Sequence, residues 1–431
     1  MKKHIKLLVV LGIILVGSFS FYLFKGYKKD ALVYENNKIM PSSSGIAMML
    51  ETSAGSGNYE MTTRSEWPTE GYVFNVNLSK CENGSELSWD NENKKVLMSG
   101  NKSDKCYVYF DVEIPPTIAN TCTSGTNLAS CIKTFGDKGS FVSNIYHHDA
   151  SLTNGAGDNS YRYAGASDPV NNYVCFGSTT PCPADNLYRI IGVFGDKVKL
   201  IKSDYATTAL LGTDGDYKQA YTATGFDSSN YKGNNLANVA AYNWDKSNLN
   251  TWSLSNLNRI NLNQNFITNI GADWAAKIVE TTWKVGGNTE ANILSQPAKT
   301  AYQNEIVSPV TTHSKDDKTE YSAKIGLMYV SDYMYAAPQD KWTLVGSHAS
   351  DASKDYRVAT SVNWMYMGLY EWTISRDADR AYHVFNVTST GLVYFSNVGD
   401  FVYGVRPVFN LSSSVNYASG SGTAADPILV N

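Results

Sequence analysis

Hydrophobic and polar positions change rhythm several times along the chain. An uncharged run of 18 residues opens at Leu7 and closes at Phe24, with Lys2, Lys3 and Lys6 before it and Lys25, Lys28 and Lys29 after it. At about 1.5 Å per residue it reaches about 27 Å, enough for one crossing of a hydrocarbon layer about 30 Å thick. Small residues at Val16-Gly17-Ser18 would suit a cleaved signal peptide. The run continues through Phe19, Phe21, Tyr22, Leu23 and Phe24, which favours the aromatic belt of an uncleaved anchor. Residues 7–24 are therefore predicted to span a membrane, with residues 1–6 as a cytoplasmic tail. Residues 25–70 are polar, rich in Ser, Gly and Thr, and read as a juxtamembrane stalk.

From residue 71 the pattern turns into short β-branched and aromatic runs, GYVFNVNLSKC, ELSWD, KKVLMS and KCYVYFDVEI. Turn clusters such as Glu82-Asn83-Gly84 separate them, which predicts a small β-module over 71–114. Pro115-Pro116 ends it, and 115–160 reads as a connector holding one short helix, NLASCIKTF, and the polar loop TNGAGDN.

The principal domain is predicted over 161–431. Its first strong signal is LYRIIGVF followed by KVKLIK, two strands at 187–194 and 197–202 joined by Gly195-Asp196, a pair suited to a tight primed turn. The first strand is apolar on both faces and belongs inside a sheet. Helical spacing follows over 253–307, with Leu262, Phe266 and Ile270 four apart, and Ala275, Val279 and Trp283 likewise. Gly286-Gly287 stops the second helix, and Ser295 with Pro297 opens a short third one. Strands return at 381–387, 392–398 and 403–411. Strands, then helices, then strands again predict an α+β domain.

Composition and charge sharpen this picture. With 431 residues, 43% apolar and 18% charged, the chain is too apolar for disorder and long enough for a large core. The net charge of −4 hides a division: residues 1–30 hold six Lys and one Asp, so the remainder keeps 30 basic and 39 acidic residues, a charge of −9. An acidic body of this kind excludes nucleic-acid binding by bulk charge.

The six cysteines fall as sequence neighbours, Cys81 with Cys106, Cys122 with Cys131, and Cys175 with Cys182, at separations of 25, 9 and 7. Of the fifteen possible pairings, bridging between neighbours is the simplest, since each pair lies in a turn-rich stretch. Zinc sites want shorter CxxC spacings and nearby histidines. Disulfides persist in oxidising surroundings, which predicts that residues 31–431 lie outside the cytoplasm at the plasma membrane.

GYVFNVNLSKCENGSELSWD, KCYVYFD, RYAG, NNYVCF, NLYRIIGVF, KIGLMYVSDYMYA, EWTISR, YGVRPVFNL and SGSGTAADPILV follow one another in an order that resembles the uncharacterised membrane-anchored surface proteins of low-GC Gram-positive bacteria. The resemblance covers about residues 45–431 and brings no activity with it. Residues 161–431 are in turn similar to the C-type lectin-like fold shared with the formylglycine-generating enzyme. In that fold a tryptophan-rich segment precedes a Gly-x-Arg strand, here Trp364 and Trp372 followed by Gly404-Val405-Arg406. The fold hosts enzymes, receptors and scaffolds alike.

The residues narrow the chemistry that the resemblance allows. No cysteine follows Cys182, so the nucleophile and copper ligands of the oxidase branch have no positions to occupy. Calcium-dependent lectins use Glu-Pro-Asn or Gln-Pro-Asp with Trp-Asn-Asp; the nearest strings here, Gln296-Pro297-Ala298 and Asn243-Trp244-Asp245, lack the needed carboxylates or order. Asp214-Gly215-Asp216 and Asp377-Ala378-Asp379 read as solvated turns, and His147-His148-Asp149 as an exposed loop. No HExxH, GxSxG or phosphate loop occurs. No catalytic residue, metal ligand or cofactor is assigned.

Arg406, flanked by Val405 and Pro407, needs a partner if buried, and Glu371 or Asp400 can serve. Aromatic residues crowd the segment 364–403, and alternation along strands sends about half of them inward. Trp364, Tyr366, Tyr370, Trp372 and Arg376 are the ligand-binding candidates, and Glu371 and Arg406 the structural ones. The reading expected from sequence is a single-pass surface binding or adhesion protein, non-catalytic, that presents its C-terminal domain to an extracellular glycan or protein. A structural component of the cell envelope and an extracellular enzyme are the alternatives.

Overall fold

The computed structural model describes residues 39–41, 43, 45–101, 103–179, 181–309 and 319–431. The predicted tail at 1–6, the anchor at 7–24 and the first part of the stalk lie outside the described residues. Among the described residues no helix is long and apolar enough to cross a membrane. The chain divides between Pro115 and Pro116 into two compact units, both dominated by sheet, with few helices.

The first unit is a β-module. Strand β1 (Ile46–Glu51) pairs antiparallel with β2 (Tyr59–Thr62) and parallel with β7 (Cys106–Val112). β7 also takes β3 (Tyr72–Phe74) and β4 (Lys80–Cys81), while β5 (Glu86–Asp90) and β6 (Lys95–Ser99) form a separate hairpin. Alternation on β7 buries Val108 and Phe110, which meet Met48, Leu50, Trp67, Val96 and Met98 in one core. Residues 46–62, assigned to the stalk by their polar surroundings, thus belong to this module. IAMMLE is short, but β7 needs a neighbour on its open edge, and Met48 and Leu50 supply apolar faces for the core.

The second unit begins before the expected residue 161. Helix α1 (Leu128–Gly136) is the helix expected from NLASCIKTF, and its Asn127 cap accepts a hydrogen bond from the Ser130 N–H at 2.9 Å. Leu128, Ile132 and Phe135 bury in the same core as the sheet that follows. The segment read as a connector is therefore structural.

That sheet runs β18 (Ile325–Gly326), β22 (Val408–Asn410), β12 (Lys197–Lys202), β11 (Leu187–Phe194), β10 (Tyr173–Cys175), β24 (Ile428–Val430) and β23 (Tyr417–Ser419), with β9 (Tyr161–Tyr163) and β8 (Ile145–His147) attached beside β11. β11 and β12 occupy the residues expected, with Gly195 at φ 63° in the turn between them. β11 is interior and buried over nearly its whole length.

A smaller sheet orders β16 (Gly287–Asn288), β19 (Glu371–Asp377), β20 (His383–Val387) and β21 (Val393–Asn397). The helical spacing at Leu262 and Phe266 gives a π-helical segment, Leu257–Phe266. The spacing at Ala275, Val279 and Trp283 does not give a helix. Trp283 lies on β15 (Thr281–Lys284), paired with β17 (Glu320–Ala323), because two threonines favour extended backbone and the indole N–H donates to the Ala323 carbonyl at 3.0 Å across the ladder.

All three neighbour bridges form, Cys81–Cys106, Cys122–Cys131 and Cys175–Cys182. The first joins residues directly opposite each other on β4 and β7.

Candidate binding cleft

The smaller sheet frames a cleft. β19 lies between β16 and β20 and is buried along its length, whereas β21 is an edge strand. The β20–β21 hairpin sets Phe385 opposite Phe395 and Asn386 opposite Tyr394. The polar edge leaves Phe395 half-buried and Tyr394 40% exposed. At the hairpin turn the Thr388 hydroxyl accepts the Leu392 N–H at 3.1 Å and lies 3.0 Å from the Thr390 hydroxyl.

Rings from elsewhere in the chain face this hairpin. Tyr370 and Tyr403 stack with centroids 5.0 Å apart and planes at 22°. Phe226, on a loop, stands 5.3 Å from Tyr370 and 6.4 Å from Phe401. The Tyr403 and Ser396 hydroxyls, 2.8 Å apart, tie this row to β21. Burial pushes the Tyr403 phenol up, so it stays neutral at physiological pH.

The enclosed space is about 500 Å³, within the range of small-ligand sites, and its rim carries His348, His383, Thr390 and Asn397. His383 Nδ1 sits 3.5 Å from Oδ2 of Asp377 on β19. Phe401, like Tyr394, is 40% exposed. The lining sets flat apolar faces next to hydroxyl, amide and imidazole groups, so one ligand can stack and hydrogen-bond at once.

Of the five ligand-binding candidates, Tyr370 lines the cleft. Trp364 is in the core, where its indole N–H donates to the Tyr163 carbonyl at 2.9 Å and Arg189 lies 4.7 Å over its ring. Trp372 is fully buried and donates to the Tyr242 carbonyl at 2.8 Å. Tyr366 is buried, its hydroxyl held by the Ser389 carbonyl at 2.5 Å. Arg376, also buried, belongs to the interior of β19. Inward-facing positions of β19 and the loop before it took these side chains. The rings that replace them are Tyr394, Phe395, Phe401 and Tyr403, which lie in the aromatic segment noted in the sequence, and Phe226, more than a hundred residues earlier, which no local pattern marks.

The remaining polar strings have structural roles. Asp216 is buried, accepting the Leu257 N–H at 2.8 Å, so it fixes the start of the π-helical segment. His148 is fully buried, contrary to the exposed-loop reading: the Ala156 N–H donates to its Nδ1 at 3.0 Å, and Tyr335 and Trp342 pack around the ring. His147 beside it is exposed and stacks on Tyr161. Among the described residues no three His, Cys, Asp or Glu side chains gather as a metal site. The chain matches no family model, no curated protein and no solved structure.

Proposed function

We propose that this chain is a non-catalytic cell-surface binding protein, held by a single-pass anchor at residues 7–24, whose extracellular body takes a glycan in the cleft between the β20–β21 hairpin and the Tyr370–Tyr403 row. The observation that carries the reading is the cleft itself, about 500 Å³ in volume, with exposed Tyr394 and Phe401 beside Thr388, Thr390, Ser396 and Asn397. Pyranose rings present C–H faces edged by hydroxyls, and such a lining complements both. Three disulfides support an oxidising compartment for the body. A C-type lectin-like architecture for the second unit belongs to the same proposal. The support for it is the α+β order of elements and the tryptophan-rich segment that leads into Gly404-Val405-Arg406.

The test is a glycan array probed with the full chain in detergent micelles. Saccharide binding is expected, weakened in Tyr394→Ala and in Phe401→Ala. Folded protein that binds no saccharide would overturn the glycan reading, and binding to an extracellular-matrix protein instead would reassign the occupant.

A further inference from the structure

The main sheet carries a second, unrelated cluster. Lys199, in the interior of β12, is 5% exposed, and its Nζ lies 2.5 Å from Oδ2 of Asp332, itself 3% exposed. Asp332 sits on the short helix α2 (Val330–Tyr335), 133 residues further along the chain. Phe194, Tyr329 and Trp283 surround the Lys199 nitrogen at 5.2, 4.7 and 5.8 Å from their ring centres.

The carboxyl group is equally confined. The Tyr329 N–H donates to Asp332 Oδ2 at 3.0 Å, and Arg162 Nη1 stands 3.9 Å from Oδ1. Glu305, 1% exposed, grips the start of the same helix: Oε1 accepts the Val330 N–H at 3.0 Å, Oε2 the Ser331 N–H at 2.9 Å, and the Ser375 hydroxyl donates to Oε1. Arg162, Lys199, Trp283, Tyr329 and Asp332 line a cavity of about 230 Å³.

Burying an amine and an acid together favours their neutral forms, because each ion loses its water. Burial lowers the Lys199 ammonium pKa, a direction that the Asp332 charge opposes. Burial also pushes Glu305 up to about 7, against the hydrogen bonds from Ser375 and Ser331. An amine whose charged form burial disfavours is thus held at hydrogen-bond distance from a carboxyl, in an aromatic box, near a second carboxyl whose pKa burial pushes up to about 7. Those are the two reactants of an amide condensation, held in contact.

We propose that Lys199 and Asp332 become joined by an isopeptide bond, a covalent cross-link between β12 and α2. Nζ, as the free amine, attacks Cγ of the protonated carboxyl. The Nζ–Cγ bond forms, one Cγ–O bond breaks, and the leaving hydroxyl departs as water with a proton from the nitrogen. One water is released and nothing is oxidised or reduced. The Tyr329 N–H on Oδ2 and Arg162 toward Oδ1 give each carboxyl oxygen one donor, so both the oxygen that gains charge and the one that leaves are served. Glu305, holding the Val330 and Ser331 N–H groups, positions the helix turn that presents Asp332 to the amine. The product replaces a buried amine and a buried acid by one neutral amide.

Peptide mapping of the full chain by mass spectrometry, after reduction, tests this. A branched tryptic peptide joining 198–202 to 325–341 is expected, lighter than the two parts by one water and uncut after Lys199. It should be absent in Lys199→Arg and Asp332→Ala, and greatly reduced in Glu305→Gln. Recovery of both segments from wild-type protein as linear, unmodified peptides would overturn the proposal. So would a branched peptide that persists in Asp332→Ala. Should a variant fail to fold, the wild-type map alone decides.

Discussion

Arg406 lies in a fork-to-fork pair with Glu371, Nε 2.7 Å from Oε1 and Nη2 2.8 Å from Oε2, with neither residue more than 2% exposed. Nη2 also reaches the Met365 carbonyl at 2.7 Å, so one guanidinium joins β19, the loop before it and the Gly404-Val405-Arg406 segment. Gly404 lets this segment pack against Tyr205, since a Cβ there would stand 2.6 Å from the ring.

Breaking this pair from one side leaves a buried charge without its partner. Arg406→Met is expected to cost about 3–5 kcal/mol of unfolding free energy. The double variant Arg406→Met, Glu371→Leu should recover most of it. Urea titration of the three proteins checks both statements, and unchanged stability in the single variant would remove the structural role.

The exposed and buried aromatic residues of the same segment should separate cleanly. Tyr394→Ala and Phe401→Ala are expected to weaken ligand binding roughly fivefold each, about 1 kcal/mol per ring, and to leave the melting temperature nearly unchanged. Trp372→Ala, by contrast, opens a core cavity and should cost about 3–5 kcal/mol. Calorimetric titration and thermal unfolding distinguish the two classes.

Glu305 makes stability depend on pH. Its folded pKa of about 7 lies above its ordinary value of 4.5, so the native state holds a proton that the unfolded chain has already released. The stabilising contribution is full below 4.5 and is lost as pH rises through 7, by about 3 kcal/mol in all. His148 works in the opposite direction: burial, with Arg162 next, holds its pKa well below 6.5, so its contribution is present above 6.5 and fades as pH falls. In Glu305→Gln the decline between pH 5 and 8 should disappear, as read by urea unfolding across that range.

Reduction should weaken both units. Each bridge is expected to contribute about 2–4 kcal/mol, and Cys81–Cys106, which closes the longest loop, should contribute most. Unfolding of Cys81→Ser, Cys106→Ser against Cys175→Ser, Cys182→Ser measures the order.

Features encoded by neighbouring residues were legible in the sequence. The hairpin at 187–202 needs only two apolar runs and a glycine turn, the disulfides join sequence neighbours, and the need of a buried Arg406 for a carboxylate, Glu371 or Asp400, follows from the cost of an unpaired buried cation. Trp283 was not legible, because four-residue spacing fits a helix and a strand whose other face is polar equally well until β17 is in place. The stalk assignment failed over 46–62 for the same reason, since β1 is defined by β7, which lies more than fifty residues later.

The sequence by itself therefore determined that the body is an α+β, disulfide-bonded, acidic protein with an aromatic-rich C-terminal segment. Only the tertiary structure decided which of those aromatics meet solvent, that Phe226 joins them, and that Lys199 rests against Asp332. The physical reason is that alternation along a strand specifies two faces without saying which one is covered. Burial of the Trp372 face and exposure of Tyr394 follow from what the rest of the chain packs against them.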